Sequence, residues 1–345
     1  MGMTKILLSV ILMALLGISG VQAQQSDSSE PLADQLTERL KSDVFSLGIL
    51  SQSVFTFSFA DEDFNGGRAY DLGAQRVDMR GTLDGSFTYR MQLEFRNNPA
   101  ILDAQLGYIY SDKFRVVAGA FKPFTSIDLD PGPGDTDFLN RAQHVGAMMN
   151  SREIGVTAIG DSENFSYRIG MYNGTGLSRS NDNRFMYTAR FAYKTDLGGA
   201  DFTAGITAFL DQTRNSPVGN SRLNSAEDRF LYGGHMKFDS DTFFARAEFL
   251  QTRFDAVQLA DEENNRETIT GFFATLGYII NPKNEVLGRI DYLGYNLLDT
   301  NTNLFTIGWN HQATRMFSFG VNLLIETDEN DNTRSGLAGQ MQFQF

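Results

Sequence analysis

The sequence predicts an all-β fold, a 16-stranded antiparallel transmembrane β-barrel, from three observations. Apolar and polar residues alternate in sixteen segments between residues 46 and 345. Short and long links alternate between these segments, and aromatic residues cluster beside the short links. Alternation with a period of two is typical of strands that turn one face to an apolar and the other to a polar environment.

The first 23 residues are predicted to be a signal peptide. Lys5 precedes an apolar run over residues 6–18, and a small-residue stretch ends at Ala23. This order of basic, apolar and small residues is typical of export signals. A membrane anchor is the alternative, but the run is shorter than the roughly 20 residues that cross a bilayer.

Residues 24–45 are polar and are predicted to form a periplasmic lead-in. Leu32, Leu36 and Leu40 are spaced by four, which allows a short helix. The barrel domain is then predicted over residues 46–345. An exported chain with such a domain is expected in the bacterial outer membrane.

The segment over residues 87–96 shows the strand pattern clearly. Apolar side chains occupy the odd positions from Phe87 to Phe95, and polar side chains occupy the even positions from Thr88 to Arg96. A tilted strand needs about ten residues to cross a membrane. The same pattern predicts strands over residues 46–59, 75–83, 87–96, 101–110, 114–124, 152–160, 165–172, 185–195, 201–211, 228–238, 242–254, 267–280, 285–295, 302–311, 315–326 and 334–345.

The links between the predicted strands are of two kinds. The tight links cover residues 84–86, 111–113, 161–164, 196–200, 239–241, 281–284 and 312–314. The intervening links are longer and cover residues 60–74, 125–151, 173–184, 212–227, 255–266, 296–301 and 327–333, with residues 97–100 as a short exception. Short periplasmic turns and long extracellular loops are typical of outer-membrane barrels, whereas a soluble sandwich has no reason to sort its loops in this way.

Aromatic residues beside the tight links predict a girdle at the periplasmic membrane interface. They are Phe87, Tyr89, Tyr108, Tyr110, Phe165, Tyr167, Tyr193, Phe202, Phe238, Phe243, Tyr278 and Phe317. The segment from Met341 to Phe345 alternates and ends in Phe. It resembles the terminal strand that such barrels present to their assembly machinery, so outer-membrane lipid, lipopolysaccharide and that machinery are the expected partners.

Composition argues against several other classes of protein. The net charge of −13 disfavours nucleic acid as a partner, because nucleic-acid binding needs a basic surface. The chain has 0 Cys, which excludes disulfide scaffolds and thiolate metal ligands. The 3 His residues are scattered along the chain. We therefore predict no metal site and no cofactor.

A barrel of sixteen strands is too wide for side chains to fill, so an aqueous channel is expected. Opposite the apolar faces lie bases at Arg76, Arg80, Arg90, Arg96, Arg115, Arg168, Arg190, Lys194, Arg229, Lys237, Arg246 and Arg289. The same faces carry acids at Asp78, Glu94, Asp103, Asp211, Glu248, Asp291 and Glu326. This excess of bases predicts a wall that attracts anions. The alternative is that the arginines pair with carboxylates of neighbouring strands and only brace the lumen.

The longest link, residues 125–151, is rich in charged residues around a Pro-Gly-Pro-Gly turn. Loops of this length are usually functional or disordered. In a wide barrel, its useful position is inside the lumen, where it narrows the channel. An excursion over the outer surface is the alternative.

Four segments resemble successive signatures of the phosphate-selective porin O and P family, in matching order and spacing. They are residues 118–124 (AGAFKPF), 138–141 (FLNR), 151–156 (SREIGV) and 170–176 (GMYNGTG). The resemblance implies a 16-stranded, usually trimeric outer-membrane channel in which basic residues guide phosphate.

Two bases of these signatures, Lys122 and Arg141, match family positions. With Asp128 and Asp130 of the long loop they are the expected constriction residues. The loop is acidic between Asp128 and Asp137 where the family is lysine-rich. The resemblance therefore predicts a porin and leaves phosphate selectivity open.

Two other functions compete with a channel. An enzyme would need a base within reach of a nucleophile, and no such pair is evident around His144, His235 or His311. A structural or adhesive barrel is the second rival, since the acidic segments 261–265 and 328–331 could bind divalent cations at the lipopolysaccharide surface. Solvated loop tips are the simpler interpretation of those segments.

Overall fold

The computed structural model describes residues 40–60, 64–96, 98–178 and 180–345. The predicted signal peptide and residues 24–39 of the predicted lead-in lie outside the described residues. Within the described part of the chain, no helix is long and apolar enough to cross a membrane.

Sixteen antiparallel strands form one closed barrel, as the sequence predicts, and two short strands form a small separate hairpin. The strands are β1 Ser46–Ser58, β2 Arg68–Leu83, β3 Phe87–Glu94, β4 Ala100–Ser111, β5 Phe114–Phe121, β6 Glu153–Asp161, β7 Phe165–Tyr172, β8 Met186–Asp196, β9 Asp201–Asp211, β10 Ser216–Pro217, β11 Asn224–Ser225, β12 Arg229–Asp239, β13 Phe243–Asp255, β14 Arg266–Asn281, β15 Asn284–Tyr295, β16 Thr300–Gln312, β17 Phe317–Asp328 and β18 Thr333–Gln344. The barrel closes where β1 pairs with β18, and β9 pairs with β12 because β10 and β11 form the separate hairpin.

Apart from Leu40, which is helical and precedes β1, helical structure in the described residues lies in links on the long-loop end of the barrel. The helix α1 covers Gln143–Met148, and two 3-10 helices cover Phe64–Gly66 and Val257–Leu259. The tight turns lie at the opposite end, where β1 begins and β18 ends. By the loop rule for outer-membrane barrels, that end is periplasmic.

The start of β2 differs from the prediction. The strand begins at Arg68, and its first residues pair with the second half of β1, where residues 60–74 were expected to form a loop. The register shifts between Ser51 and Ser53, so β2 carries one extra residue near Gly73. A bulge moves the apolar positions from one parity to the other, which concealed the strand in the alternation pattern.

Two links that were expected to be long are short. Only residues 296–299 separate β15 from β16, and only residues 329–332 separate β17 from β18. The strands on either side continue further than the apolar pattern suggested, because their outer ends are polar. The long outer loops therefore belong to the part of the barrel from β1 to β14.

The aromatic girdle is confirmed on the outward face near the tight turns. Phe87 and Tyr108 contact each other across adjacent strands with ring centroids 5.1 Å apart, and Phe165 and Tyr193 do so at 6.2 Å. Tyr110 is also exposed on this face. Large exposed aromatics in a band are what a membrane interface stabilises.

Part of the barrel interior is a packed apolar core. Inward side chains of β6 to β14 pack against apolar residues of the link between β5 and β6, and the cluster includes Ile159, Phe209, Leu231 and Phe273. Their apolar side chains fill part of the lumen, although Arg190 of β8 and Glu248 of β13 also lie on the inward face. The remaining polar interior lies along β1 to β5 and β15 to β18.

Candidate functional site

The link between β5 and β6, residues 122–152, lies inside the barrel and is called the inner loop below. Gln52 of β1 donates to the carbonyl oxygen of Pro133 at 2.9 Å, and Gln342 of β18 donates to that of Gly134 at 3.0 Å. Asn322 of β17 accepts the backbone N–H of Leu139 at 2.9 Å. The loop thus contacts the inward faces of strands on this side of the lumen.

The opposite side of the inner loop is held by Glu248, an inward residue of β13. Its carboxylate accepts the Ser126 hydroxyl at 2.5 Å, the Ile127 N–H at 2.8 Å and a contact from His144 Nε2 at 3.1 Å. Ser126, His144 and Glu248 are buried. A carboxylate that satisfies three donors in a dry site is a strong anchor. The prediction that this loop folds into the lumen is confirmed.

Lys122 and Arg141 hold the inner loop in shape. Lys122 Nζ donates to the carbonyl oxygens of Leu129 at 2.8 Å, Asp130 at 3.2 Å and Pro131 at 2.5 Å. Arg141 donates to the Pro131 carbonyl at 2.5 Å and to the Asp128 carbonyl. Backbone carbonyls of one turn are therefore gathered around two cations.

Burial perturbs the ionisation of both cations. Desolvation, followed by the charges of Arg141 and Arg152, lowers the pKa of Lys122 to about 7. Desolvation also lowers the pKa of the Arg141 guanidinium, against the attraction of Asp128. Both groups donate to carbonyl oxygens of the loop, so they affect the constriction mainly through the position of the loop.

The two acids expected at the constriction have different surroundings. Asp128 accepts the Ala142 N–H at 2.7 Å and so belongs to the framework of the inner loop. Asp130 forms an ion pair with Arg190 of β8 at 2.6 Å. Asp130 also lies beside the open lumen, where it lines a cavity with Arg76 and Arg90.

Most of the predicted lumen bases are paired with carboxylates. Pairing across neighbouring strands joins Arg76 to Glu94 at 2.9 Å, Arg90 to Asp78 at 2.6 Å, Arg168 to Asp161 at 3.0 Å and Arg246 to Asp239 at 2.9 Å. Arg246 also contacts Asp137 of the inner loop at 3.4 Å, and Arg289 lies 3.9 Å from Asp291. These arginines therefore brace the barrel wall through ion pairs, and their charges are not free to attract anions.

Three of the predicted arginines differ from this pattern, and Lys194 and Lys237 form no ion pair among the described residues either. Arg96 lies beyond the end of β3 in an outer loop and pairs with Asp71 at 2.5 Å, so its placement on a strand was wrong. Arg80 is mostly exposed, 4.0 Å from an Asp78 that is already bound to Arg90. Arg115 has no carboxylate within ion-pair distance among the described residues.

A series of cavities follows the inner face of β1 to β5. A cavity of about 500 Å³ near the periplasmic end is lined by Arg80, Arg90 and Arg115. It shares Arg90 and Phe124 with a cavity of about 140 Å³ beside Lys122, which shares Arg90 with a third cavity of about 360 Å³ below the loop turn at residues 130–135. These spaces mark a polar path between the wall and the inner loop, called the open path below.

The other half of the lumen is closed by a second element. The hairpin of β10 and β11, within residues 212–228, packs on α1: Asn220 N–H donates to the Gly146 carbonyl at 2.8 Å, and Val218 is fully buried. Gly219 has φ +51, and a Cβ there would lie 2.2 Å from the Gly146 oxygen. Only glycine allows this approach.

Ser126 and His144 are not arranged as a nucleophile and its base. Ser126 and His144 both contact Glu248, so the hydroxyl donates to the carboxylate instead of to the imidazole. A nucleophile needs the base as its direct neighbour and access to substrate, and all three side chains are buried. His311 contacts Asn284 at 2.9 Å on the outward face. Among the described residues, no group of three His, Cys, Asp or Glu side chains could hold a metal ion.

Asp328, in an acidic outer segment, stabilises the turn in which it lies. Its carboxylate accepts backbone N–H groups of Asn330 at 3.0 Å and Asn332 at 2.9 Å. The carboxylate is thus occupied in closing a four-residue link. This favours the interpretation of residues 328–331 as a solvated loop tip.

Sequence reasoning missed several residues that shape the site. Arg152 binds Asp103 at 2.9 Å, and Glu153 accepts the N–H groups of Gly174 and Gly176 at 3.1 Å. Gln52 was also missed. The sequence offered no clear signal for it, because Gln52 lies between Ser51 and Ser53 and the apolar alternation is interrupted there.

A family comparison decides the identity of this barrel. The model of the phosphate-selective porin O and P family matches residues 56–345. The chain belongs to this family. As a porin of this family, it is a channel protein of the bacterial outer membrane. No curated protein matches it.

Solved structures of other outer-membrane proteins share the fold of this porin. OprB of Pseudomonas putida has a TM-score of 0.66 at 10% identity, covering 90% of this chain and 96% of that chain. OmpT of Vibrio cholerae has a TM-score of 0.62 at 14% identity, covering 89% and 99%. The outer membrane channel DcaP of Acinetobacter baumannii has a TM-score of 0.60 at 9% identity, also covering 89% and 99%.

Proposed function

We propose that this porin is a passive diffusion channel for small hydrophilic solutes with a preference for anions. The observation that carries the preference is the placement of Arg80 and Arg115 on the open path without a dedicated carboxylate partner. Low-dielectric walls focus the field of such charges and raise the local concentration of anions. The acids of the inner loop, above all Asp130, oppose this effect from the other side of the path.

The same geometry argues against a tight site for inorganic phosphate. Dehydrating a phosphate requires several convergent donors, as in clusters of arginines. Here Arg76, Arg90, Arg168 and Arg190 already bind carboxylates. We infer that anions are favoured by the potential along the path rather than by a phosphate-specific site.

Planar bilayers test both parts of this proposal. Purified protein should give stepwise conductance, and a KCl gradient should give a reversal potential of the sign for anion preference. Changing Arg80 and Arg115 together to Gln should lower the chloride-to-potassium permeability ratio by about twofold to fivefold, since each removes one weakly screened charge. Arg266→Gln is the matched control, because Arg266 lies at the outer end of β14 and pairs with Asp255 at 3.1 Å.

Two results would contradict the proposal. Absence of conductance steps would exclude the channel, and cation selectivity would show that the acids of the inner loop dominate the path. An unchanged permeability ratio in the double variant would remove Arg80 and Arg115 from the explanation.

We also propose that the protein assembles as a homotrimer in the outer membrane after cleavage of the signal peptide. The support is the family membership and a trimer form of OmpT of Vibrio cholerae, with a TM-score of 0.63 at 11% identity, covering 88% of this chain and 99% of that chain. Native mass spectrometry in detergent measures the number of subunits and the mature N-terminus together. A monomeric mass would contradict the trimer.

A further inference from the structure

The cavity of about 500 Å³ near the periplasmic end combines cations with an apolar surface. It lies on the open path, between the inner faces of β2 to β6 and the start of the inner loop. Its volume is within the range of small-molecule sites, which are mostly apolar with a few placed polar groups. Its lining includes Arg80, Arg115, Val117, Phe124 and Ile159.

Arg115 is the cation best placed to bind a ligand in this cavity. Ile109 of β4 and Ile159 of β6 are its register partners on either side. The guanidinium has neither an ion pair nor a side-chain hydrogen bond among the described residues. Arg115 is exposed to the lumen, and Asp43 is an acid that lines the same cavity. A free guanidinium fork fits a carboxylate through two parallel hydrogen bonds.

The surface beside Arg115 is unsuited to a fully hydrated inorganic anion. Val117 follows on the same face of β5, and the ring of Phe124 lies at the start of the inner loop. Arg168 and Arg190 stack on that ring, each 5.6 Å from its centroid, which holds it in place. Phosphate would gain nothing from contact with Val117 or the Phe124 ring. The apolar body of an organic anion would be stabilised there, because the contact removes it from water.

We propose that this cavity is a binding site for organic carboxylates with an apolar or aromatic body, of about the size of benzoate. The carboxylate pairs with Arg115, and the body lies on Val117, Ile159 and Phe124. Arg80, at the side of the cavity nearer the tight turn, attracts the anion as it enters. The site rests on the proposed anion-preferring channel and names the solute class it favours. Because conduction requires release, the affinity is expected to be weak.

Block of the KCl current in planar bilayers tests the site with benzoate, formate and inorganic phosphate. Benzoate should block at concentrations about tenfold lower than formate or phosphate, because only benzoate uses both the cation and the apolar surface. Arg115→Gln should weaken benzoate block about tenfold, and Arg115→Lys should weaken it less, since the charge stays and the fork is lost.

A second substitution separates the two halves of the site. Val117→Ser should weaken block by benzoate and leave block by formate unchanged, because it alters only the apolar surface. Arg266→Gln, at the outer rim, is the control for a lost arginine. Folding of each variant is verified by the heat-dependent shift in electrophoretic mobility that is usual for β-barrels.

Failure of this site is distinguishable from failure of the channel. If the protein conducts with anion preference but benzoate blocks no better than formate, the site is refuted and the channel stands. If no conductance is seen, calorimetric titration of benzoate into the detergent-solubilised protein decides. Binding that Arg115→Gln weakens supports the site, and equal or absent binding in both proteins overturns it.

Discussion

Glu248 is the residue on which the position of the inner loop depends most. Its carboxylate accepts the Ser126 hydroxyl, the Ile127 N–H and a contact from His144. In Glu248→Gln one oxygen becomes an NH₂ group, so at least one buried donor loses its acceptor. We expect the anchored loop to lose about 2–4 kcal/mol of stability relative to a displaced loop. Single-channel conductance should rise and become more variable.

Glu267→Gln is the control for this substitution. Glu267 is also buried and also accepts backbone N–H groups, those of Leu297 at 3.0 Å and Leu298 at 3.1 Å, but these belong to an outer turn. Its conductance should match that of the unmodified protein. Equal conductance in both variants and the unmodified protein would show that Glu248 does not hold the channel at its width.

Lys122 makes the inner loop sensitive to pH. Burial and the nearby Arg141 and Arg152 lower its pKa to about 7, whereas a displaced loop would expose it to water and restore a value near 10.5. The displaced loop therefore binds more protons between pH 7 and 10, so raising the pH favours the loop in place. Open-channel current noise should fall over this range. Lys122→Met should remove this part of the pH dependence, and an identical dependence in both proteins would contradict it.

At the scale of elements, the strands were predictable and the bulge was not. The alternation in residues 87–96 gave β3 within two residues, because each side chain there reports the environment of its own face. In β2 the extra residue near Gly73 reversed the parity, and the strand start was placed at 75 instead of Arg68. A bulge shifts the inward positions of a strand by one residue, so a search for strict alternation does not detect the strand across the bulge.

The hydrogen-bond acceptors of Lys122 and Arg141 in the inner loop likewise could not be predicted from the sequence. The length of the loop indicated a place in the lumen, and the family resemblance drew attention to Lys122 and Arg141. Their actual acceptors are carbonyl oxygens of residues 128–131, which any residue type supplies. Because a residue of any type has a backbone carbonyl, the sequence does not show which residue accepts such a hydrogen bond.

The hairpin of β10 and β11 is predicted to stay docked on α1 through Val218. In Val218→Asp an unpaired charge would enter the apolar core at a cost of about 3 kcal/mol or more, which docking cannot offset. The hairpin should detach, and trypsin should then cleave after Arg214 or Arg222 much faster. Val257→Asp is the control, because Val257 is exposed in another outer loop. Unchanged cleavage would show that Val218 does not secure the hairpin.

At the scale of the whole molecule, we expect thiol reagents to reach the open path quickly and the closed half of the lumen slowly. Gln105 of β4 lines two cavities of the open path, whereas Thr207 of β9 is buried on the inward face of the closed half. The protein has 0 Cys, so one introduced cysteine is the only thiol. In Gln105→Cys, thiosulfonate reagents should react quickly and reduce the conductance. In Thr207→Cys they should react slowly and leave it unchanged.

The charge of the reagent adds a test of the potential along the open path. Because Arg80, Arg90 and Arg115 line the cavity that Gln105 faces, a negatively charged reagent should modify Gln105→Cys faster than a positively charged reagent of equal size. Raising the KCl concentration toward 1 M should reduce this ratio, since the screening length falls to about 3 Å. Equal rates at low salt would mean that Asp78, Asp103 and Asp130 cancel the field. Rapid modification of Thr207→Cys would mean instead that water and solutes also pass through the half of the barrel filled by the inner loop.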